Sequence, residues 1–357
     1  MSRRDIGTDD YRVKVRPGKP SRPRTKIRPD YSQAPRGRVY RVDRGRYHVR
    51  MIDSGTDVIA VKARELGRRG IVVGDVCAMV GDLSGRKDTL ARIAEVDERS
   101  TVLRRVGEEG EAAGNERIIV ANADQLVIVA ALAQPEPRTG MIDRCVVAAY
   151  DAGMDVILAL TKSDLAPADE LRSIYEPMGL DIVVTSVVDP AEAEAEASSE
   201  PGAGSESEPT DGLAELRDKL TGRVSVLVGH SGVGKSTLIN ALIPQATRET
   251  GHVNGVTGRG RHTSTSAMAF DYLGNGTVID TPGVRTFGLA HVTPDGLLRG
   301  FPDLDDIAEN CPRGCTHEDG VIECALDDPQ FVEPGSMAAT RVESFRRLLA
   351  SRGKPEW

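Results

Sequence analysis

The 357-residue chain is poor in aromatics, at 4%, with a single tryptophan. It has no apolar run near the ~18 residues of a membrane span. Its N-terminus is charged where a secretion signal would be apolar. Five cysteines are too few for a disulfide scaffold in a chain of this length. Membrane, secreted and fibrous readings are therefore poor ones, and a soluble multidomain protein is expected. The formal net charge of -8 taken whole argues against nucleic acid, but it averages two unlike regions. Residues 1–38 carry twelve Lys/Arg against four Asp/Glu, and the remainder carries 34 against 50. A basic arm on an acidic body is a different object from a mildly acidic protein.

Segment 1–36 has five prolines and no apolar periodicity, and reads as a disordered basic arm. From Gly37 to Arg105, five short strands are expected at Gly37–Asp43, Arg46–Ile52, Asp57–Ala63, Asp75–Val80 and Thr89–Val96. That pattern suggests a small β-barrel of the OB type, residues 37–105. Only Tyr40 and Tyr47 are available there to stack bases. Such a barrel would grip backbone or shape rather than read bases.

From about Ile118, buried apolar strands alternate with helices, the signature of a parallel doubly wound sheet. Strands are expected at Gln125–Leu132, Asp155–Leu160, Asp181–Thr185 and Val224–Val228. Helices are expected at Met141–Asp151, Ala168–Met178 and Asp211–Leu220. Residues 189–210, with seven acidic residues and no basic one, read as a flexible insertion.

Within this region Gly229-His-Ser231-Gly232-Val233-Gly234-Lys235-Ser236-Thr237 matches GxxxxGK[ST] between an apolar strand and a helix. Glycines let backbone N–H groups turn onto phosphate oxygens. Lys235 is expected to reach the β/γ phosphates, and the Ser236 hydroxyl to ligate Mg²⁺. Asp280-Thr-Pro-Gly283 follows a short apolar strand, 45 residues after Lys235. The polar loop between them holds His262, Thr263 and Thr265 and reads as a switch, with either threonine meeting Mg²⁺ and γ-phosphate.

DxxG points to GTP, and guanine recognition needs a carboxylate, usually in [NT]KxD after DxxG. Residues 284–357 contain one lysine, Lys354, so the motif is not downstream. It lies upstream, as Thr161-Lys162-Ser163-Asp164 after an apolar strand. Asp164 is expected to bond guanine, the Lys162 stem to cover the base, and the Ser186 region to offer a backbone N–H. The order of motifs is that of a circularly permuted GTPase domain, residues 118–290. Glutamine is also missing where Ras-type enzymes position the attacking water; Val284 stands there.

Residues 291–357 form a mostly helical C-terminal module. Cys311, Cys315, His317 and Cys324 cluster within fourteen residues, a donor set suited to one closed, structural Zn²⁺ site. Cys77 and Cys145 sit in apolar runs and read as core. Helix Arg341–Ala350 places Val342, Phe345, Leu348 and Leu349 on one face, fit to dock on the module or to present its arginines to a partner.

These parts together resemble the RsgA family of small-ribosomal-subunit biogenesis GTPases over residues 37–350. Ala121-Asn-Ala-Asp-Gln125, Gly260-Arg-His-Thr-Ser-Thr265 and Phe287-Gly-Leu289 support the likeness. The resemblance implies a cytoplasmic, monomeric GTPase that binds the small subunit and its rRNA, exchanges GTP and GDP, and hydrolyses GTP when the subunit stimulates it. It also implies His262 as the catalytic residue. Thr161 departs from the commoner Asn, which should weaken a backbone-positioning bond while keeping a hydroxyl.

Overall fold

The computed structural model describes residues 30–67, 70–106, 116–186, 212–243, 267–282, 287, 289 and 292–351. Most of the basic arm, the acidic insertion, and the switch with His262, Thr263, Thr265 and Gly283 lie outside the described residues.

The barrel strands are β1 (Arg36–Asp43), β2 (Arg46–Met51), β3 (Asp57–Lys62), β4 (Val76–Gly81) and β5 (Ala91–Val96). The strands alternate because one face must fill the barrel. In β2, Tyr47, Val49 and Met51 point in and Arg46, His48 and Arg50 out. β1 pairs antiparallel with both β2 and β4, which closes the ring β1-β2-β3-β5-β4. The β1–β2 connection is two residues, Arg44 and Gly45, both at positive φ, as a right-twisting hairpin requires. Tyr47 is a core residue and not a base-stacking surface. Alternation put it on the inner face with Val49. Only Tyr40 stays partly exposed, with His48 at 5.9 Å and the Arg50 guanidinium 5.5 Å over its ring.

A hairpin of β6 (Val102–Val106) and β7 (Glu116–Ala121), not foreseen from the sequence, follows the barrel. Asn122, left-handed at φ 56°, stitches the junction. Its Oδ1 accepts from Ser100 N (2.8 Å) and its Nδ2 donates to Gly74 O (3.0 Å).

The α/β part contains β8 (Gln125–Ala131), α1 (Thr139–Asp151), β9 (Asp155–Thr161), α2 (Asp169–Tyr175), β10 (Asp181–Val184), α3 (Gly212–Leu220), β11 (Val224–Gly229), α4 (Lys235–Leu242), β12 (Met268–Tyr272) and β13 (Gly276–Asp280). Strand order is β10-β9-β8-β11-β13-β12. All neighbours are parallel except β12 against β13. Every residue of β8 is buried, as a strand covered on both faces must be. β12 also pairs with β1, through Arg41 and Met268, so the sheet runs on into the barrel. Arg50 reinforces that join, with a bidentate bond to Asp57 (2.7 and 2.9 Å) and an ion pair to Asp271 on β12.

The C-terminal segment adds α5 (Pro294–Leu298), α6 (Pro302–Ala308) and α7 (Met337–Ser351). It shares one apolar core with the α1 face of the sheet. Phe301 is edge-on to both Tyr150 and Phe345, at 5.8 Å each. The apolar face of α7 is buried as its spacing required, and its arginines are committed inside the chain. Arg341 grips Asp303, Arg346 grips Asp327, and Arg347 lies 3.2 Å from the buried Asp143 of α1. Cys77 and Cys145 are core residues.

Candidate nucleotide and metal sites

Parallel strands end on one edge of a sheet, and ligands of open α/β sheets bind there. Thr161 ends β9, Gly229 ends β11 and Asp280 ends β13. β9 is two strands from β11, through β8, or about 10 Å. The topology thus brings together motifs that the chain order separates.

The loop Gly229–Gly234 delivers the first turn of α4. A side chain at Gly229 would put its Cβ 2.6 Å from the Val129 carbonyl of β8, so only glycine lets β11 exit so close to its neighbour. Gly234 caps α4 at φ 87°, a conformation that points consecutive N–H groups to one side. Val233 is buried and anchors the loop, while Ser231, Gly232 and Ser236 stay exposed and Thr237 is half-buried on α4. Lys235 and Asp280 form an ion pair. The neighbouring Thr281 hydroxyl, fully buried, donates to Leu227 O of β11 (2.7 Å) and fixes the start of the Asp280 motif to the phosphate strand.

Thr161 does more than its substitution for Asn suggested. Its hydroxyl, 4% exposed, donates to the Val233 carbonyl at 2.6 Å, a short bond rather than a weakened one. Lys162 sits in the left-handed region at φ 61° and its ammonium donates to Gln134 O. Asp164 is exposed and available to a base edge. Ser163 N donates to Thr185 O (3.3 Å) and Thr185 N to Leu160 O (2.8 Å), which joins the Asp164 loop to the strand leading into exposed Ser186. The buried Thr185 hydroxyl has no hydrogen-bond partner among the described residues. Sequence reasoning placed Thr185 only at a strand end beside the expected backbone donor, and missed the turn Gln134–Pro137. Its two prolines mark only a turn, and which motif it touches is decided by the fold.

The four metal-ligand candidates converge, with all donor atoms within 4.8 Å of one another. Cys311 Sγ lies 3.6 Å from His317 Nδ1 and 4.0 Å from Cys324 Sγ, and Cys324 Sγ lies 3.8 Å from His317 Nδ1. Bonds of about 2.0–2.3 Å to tetrahedral zinc set donor separations of about 3.5–3.8 Å, so the set fits that ion. The Ala325 N–H donates to Cys311 Sγ (3.2 Å), and the His317 ring is edge-on to Phe345 at 6.3 Å. Burial lowers the His317 imidazole, which favours its neutral, ligating form. Burial also pushes the Cys324 thiol up to about 12, and a divalent cation is what reverses that.

A P-loop nucleotide site on a permuted sheet, with a closed barrel before it and a Cys₃His cluster after it, defines the class of circularly permuted GTPases. The RsgA GTPase family model matches residues 96–199 and 196–290. The chain belongs to the RsgA GTPase family. The small ribosomal subunit biogenesis GTPase RsgA of Pseudomonas aeruginosa is 38% identical over 248 residues, 67% of this chain and 66% of that relative. The protein of the same description from Pseudomonas fluorescens is 37% identical over 260 residues, 71% and 68% of the two chains. The chain therefore spans about two thirds of the length of these relatives. The crystal structure of YjeQ from Thermotoga maritima superposes with a TM-score of 0.61 at 26% identity, covering 90% of this chain and 99% of that one. The structure of YloQ, a circularly permuted GTPase, has a TM-score of 0.60 at 22% identity, covering 92% and 98%.

Proposed function

We propose that this protein binds and hydrolyses GTP and that the small ribosomal subunit stimulates the hydrolysis, during maturation of that subunit. The observation that carries the reading is the single sheet edge that collects Asp164, Lys235 and Asp280 in permuted order. The curated relatives, described as small ribosomal subunit biogenesis GTPases, support the partner.

In this reading Asp164 accepts from guanine, the Lys162 stem covers the base, and the Ser186 region offers a backbone donor. Gly229, Ser231, Gly232, Val233, Gly234 and Thr237 contribute the loop and first helical turn that surround the phosphates. Ser236 would hold Mg²⁺, together with Thr263 or Thr265 and Asp280. The ion supplies charge neutralisation on the phosphates when bound. Lys235 exchanges its carboxylate partner for phosphate oxygens. The Gly283 N–H faces the γ-phosphate, and His262 orients the attacking water, which Val284 lacks the polarity to do. Cys311, Cys315, His317 and Cys324 hold a structural zinc. The barrel contributes to the grip on rRNA, and the protein works as a cytoplasmic monomer.

Single-turnover GTP hydrolysis with and without purified small subunits tests the reading. A large stimulation is expected, together with co-sedimentation in the presence of a non-hydrolysable GTP analogue. His262→Ala should keep GTP binding and lose most of the stimulated turnover. Absence of analogue-dependent binding to the subunit overturns the proposed partner, and unchanged stimulated turnover in the variant removes His262.

A further inference from the structure

We infer that the turn Gln134–Pro137, between β8 and α1, is a third wall of the nucleotide site and sets how slowly nucleotide leaves. The inference rests on the guanine-nucleotide reading above.

One contact and one close approach place the turn. The ammonium of Lys162 donates to the Gln134 carbonyl, so the cation of the base-covering residue is tethered to the turn. The phosphate loop passes close by: Gly232 carries no Cβ, and one there would lie 3.8 Å from Pro135 Cδ. The turn thus holds one segment of the site and runs beside another. The Thr161–Val233 bond closes the circuit on the other side, because Thr161 precedes Lys162 and Val233 follows Gly232. The groove beside the phosphate loop continues the same arrangement. Pro135, Glu136, Pro137 and Arg138 line it together with His230 and Val233.

The physical consequence concerns Lys162. A lysine stem has four rotatable bonds, and a flexible ammonium gives poor support to a flat ring. Anchoring the ammonium on a carbonyl fixes both ends of the stem. The ordering is then complete before the base arrives and is not charged against binding. Prolines on either side of Glu136 fix the backbone φ at 135 and 137, which keeps the Gln134 carbonyl in place. Pro135 and Gln134 are accordingly positioning residues that act through Lys162.

The test is the dissociation rate of a fluorescent GDP analogue from the full chain. Wild type, Pro135→Gly, Lys162→Met and the double variant are compared, with the melting temperature of each nucleotide-free protein alongside. Lys162→Met keeps the stem and removes the donor, and should speed release by up to about tenfold, the worth of a long side chain that must then be ordered on binding. Pro135→Gly should speed release severalfold. The double variant should match Lys162→Met alone, because Gln134 and Pro135 are positioning residues whose effect on release runs through that ammonium. Independent, multiplying effects overturn the tether, and so does an unchanged rate in Pro135→Gly. If wild type binds no guanine nucleotide, the functional reading fails instead, and the two failures are distinct.

Discussion

Replacing Thr161 with valine removes one oxygen from a buried site and tests how the guanine motif and the phosphate loop are coupled. The Thr161 hydroxyl donates to the Val233 carbonyl at 2.6 Å, with Ala130 O further off at 3.4 Å. Valine keeps the shape, so no cavity opens, but the Val233 carbonyl loses its donor in a buried place. A buried acceptor left unpaired costs about 1–3 kcal/mol. The loss does not stop at stability. The Val233 carbonyl and the Gly234 N–H belong to one planar trans peptide and point in opposite directions. The bond from Thr161 therefore aims the Gly234 N–H away from the core, to the side where phosphate oxygens are expected. Without it the peptide plane can turn, and the loop must be reordered on binding. An affinity loss for GDP of about tenfold is expected, the equivalent of ~1.4 kcal/mol. Isothermal titration of the nucleotide-free protein measures it, with thermal unfolding run in parallel. Thr161→Ser should stay within about twofold of wild type, since the hydroxyl survives, and Thr161→Asn should also bind, since its amide N–H can reach the same carbonyl. If Thr161→Val lowers the melting temperature but leaves GDP affinity unchanged, the bond is structural only and the peptide-plane argument is refuted.

Three further outcomes are expected. Arg99→Ala strips the bidentate partner (2.7 and 2.8 Å) from Asp75, which is fully buried in the barrel. Uncompensated burial of that carboxylate should cost about 3–5 kcal/mol and lower the melting temperature by on the order of 10 °C, and a loss of under two degrees would contradict the pair's importance. Cys311→Ala should abolish the zinc found by atomic absorption, whereas Cys145→Ala, a core change, should leave zinc content intact; zinc retained in both Cys311→Ala and Cys324→Ala would remove the Cys₃His site. Asp164→Asn should shift preference from guanosine to xanthosine nucleotides, because xanthine presents an acceptor where guanine presents an amine, and competition titrations showing no shift would take Asp164 out of base recognition.

The sheet and the phosphate loop were legible because their signals are local. Strands β8, β9 and β11 are continuous apolar runs, and each predicted strand lies within a residue or two of the observed one. The GxxxxGK[ST] motif had the flanking strand and helix it needs. What was not legible depends on partners distant in sequence. Tyr47 was counted with Tyr40 as available for stacking because a tyrosine's face is decided by the pleat, and register put it inside with Val49 and Met51. β12 was missed because its five residues carry no clear period, and its burial comes from β13 on one side and β1 on the other. The turn Gln134–Pro137 has an unremarkable sequence, and its importance comes only from the Lys162 ammonium resting on it.

The permuted order has a mechanical consequence that the shared core makes specific. Beyond Asp280 the chain would leave an ordinary GTPase sheet for more of the same domain. Here it passes to Phe287, Leu289 and Val292, all buried in the core that also holds Phe301 and Phe345. The Phe287 carbonyl accepts from Arg144 of α1 at 3.2 Å. The adjacent α1 residue, Asp143, accepts from Tyr175 of α2 at 2.9 Å and faces Arg347 of α7. Two consecutive residues of one helix thus hold the segment that follows the Asp280 motif and the helix that covers the Cys₃His cluster. A module on a flexible tether would show neither contact. The C-terminal helices are bolted to the same face of the sheet that receives the exiting chain. A displacement of that exit segment would therefore strain α1 and α7 together, and with them the Cys₃His cluster whose His317 lies against Phe345.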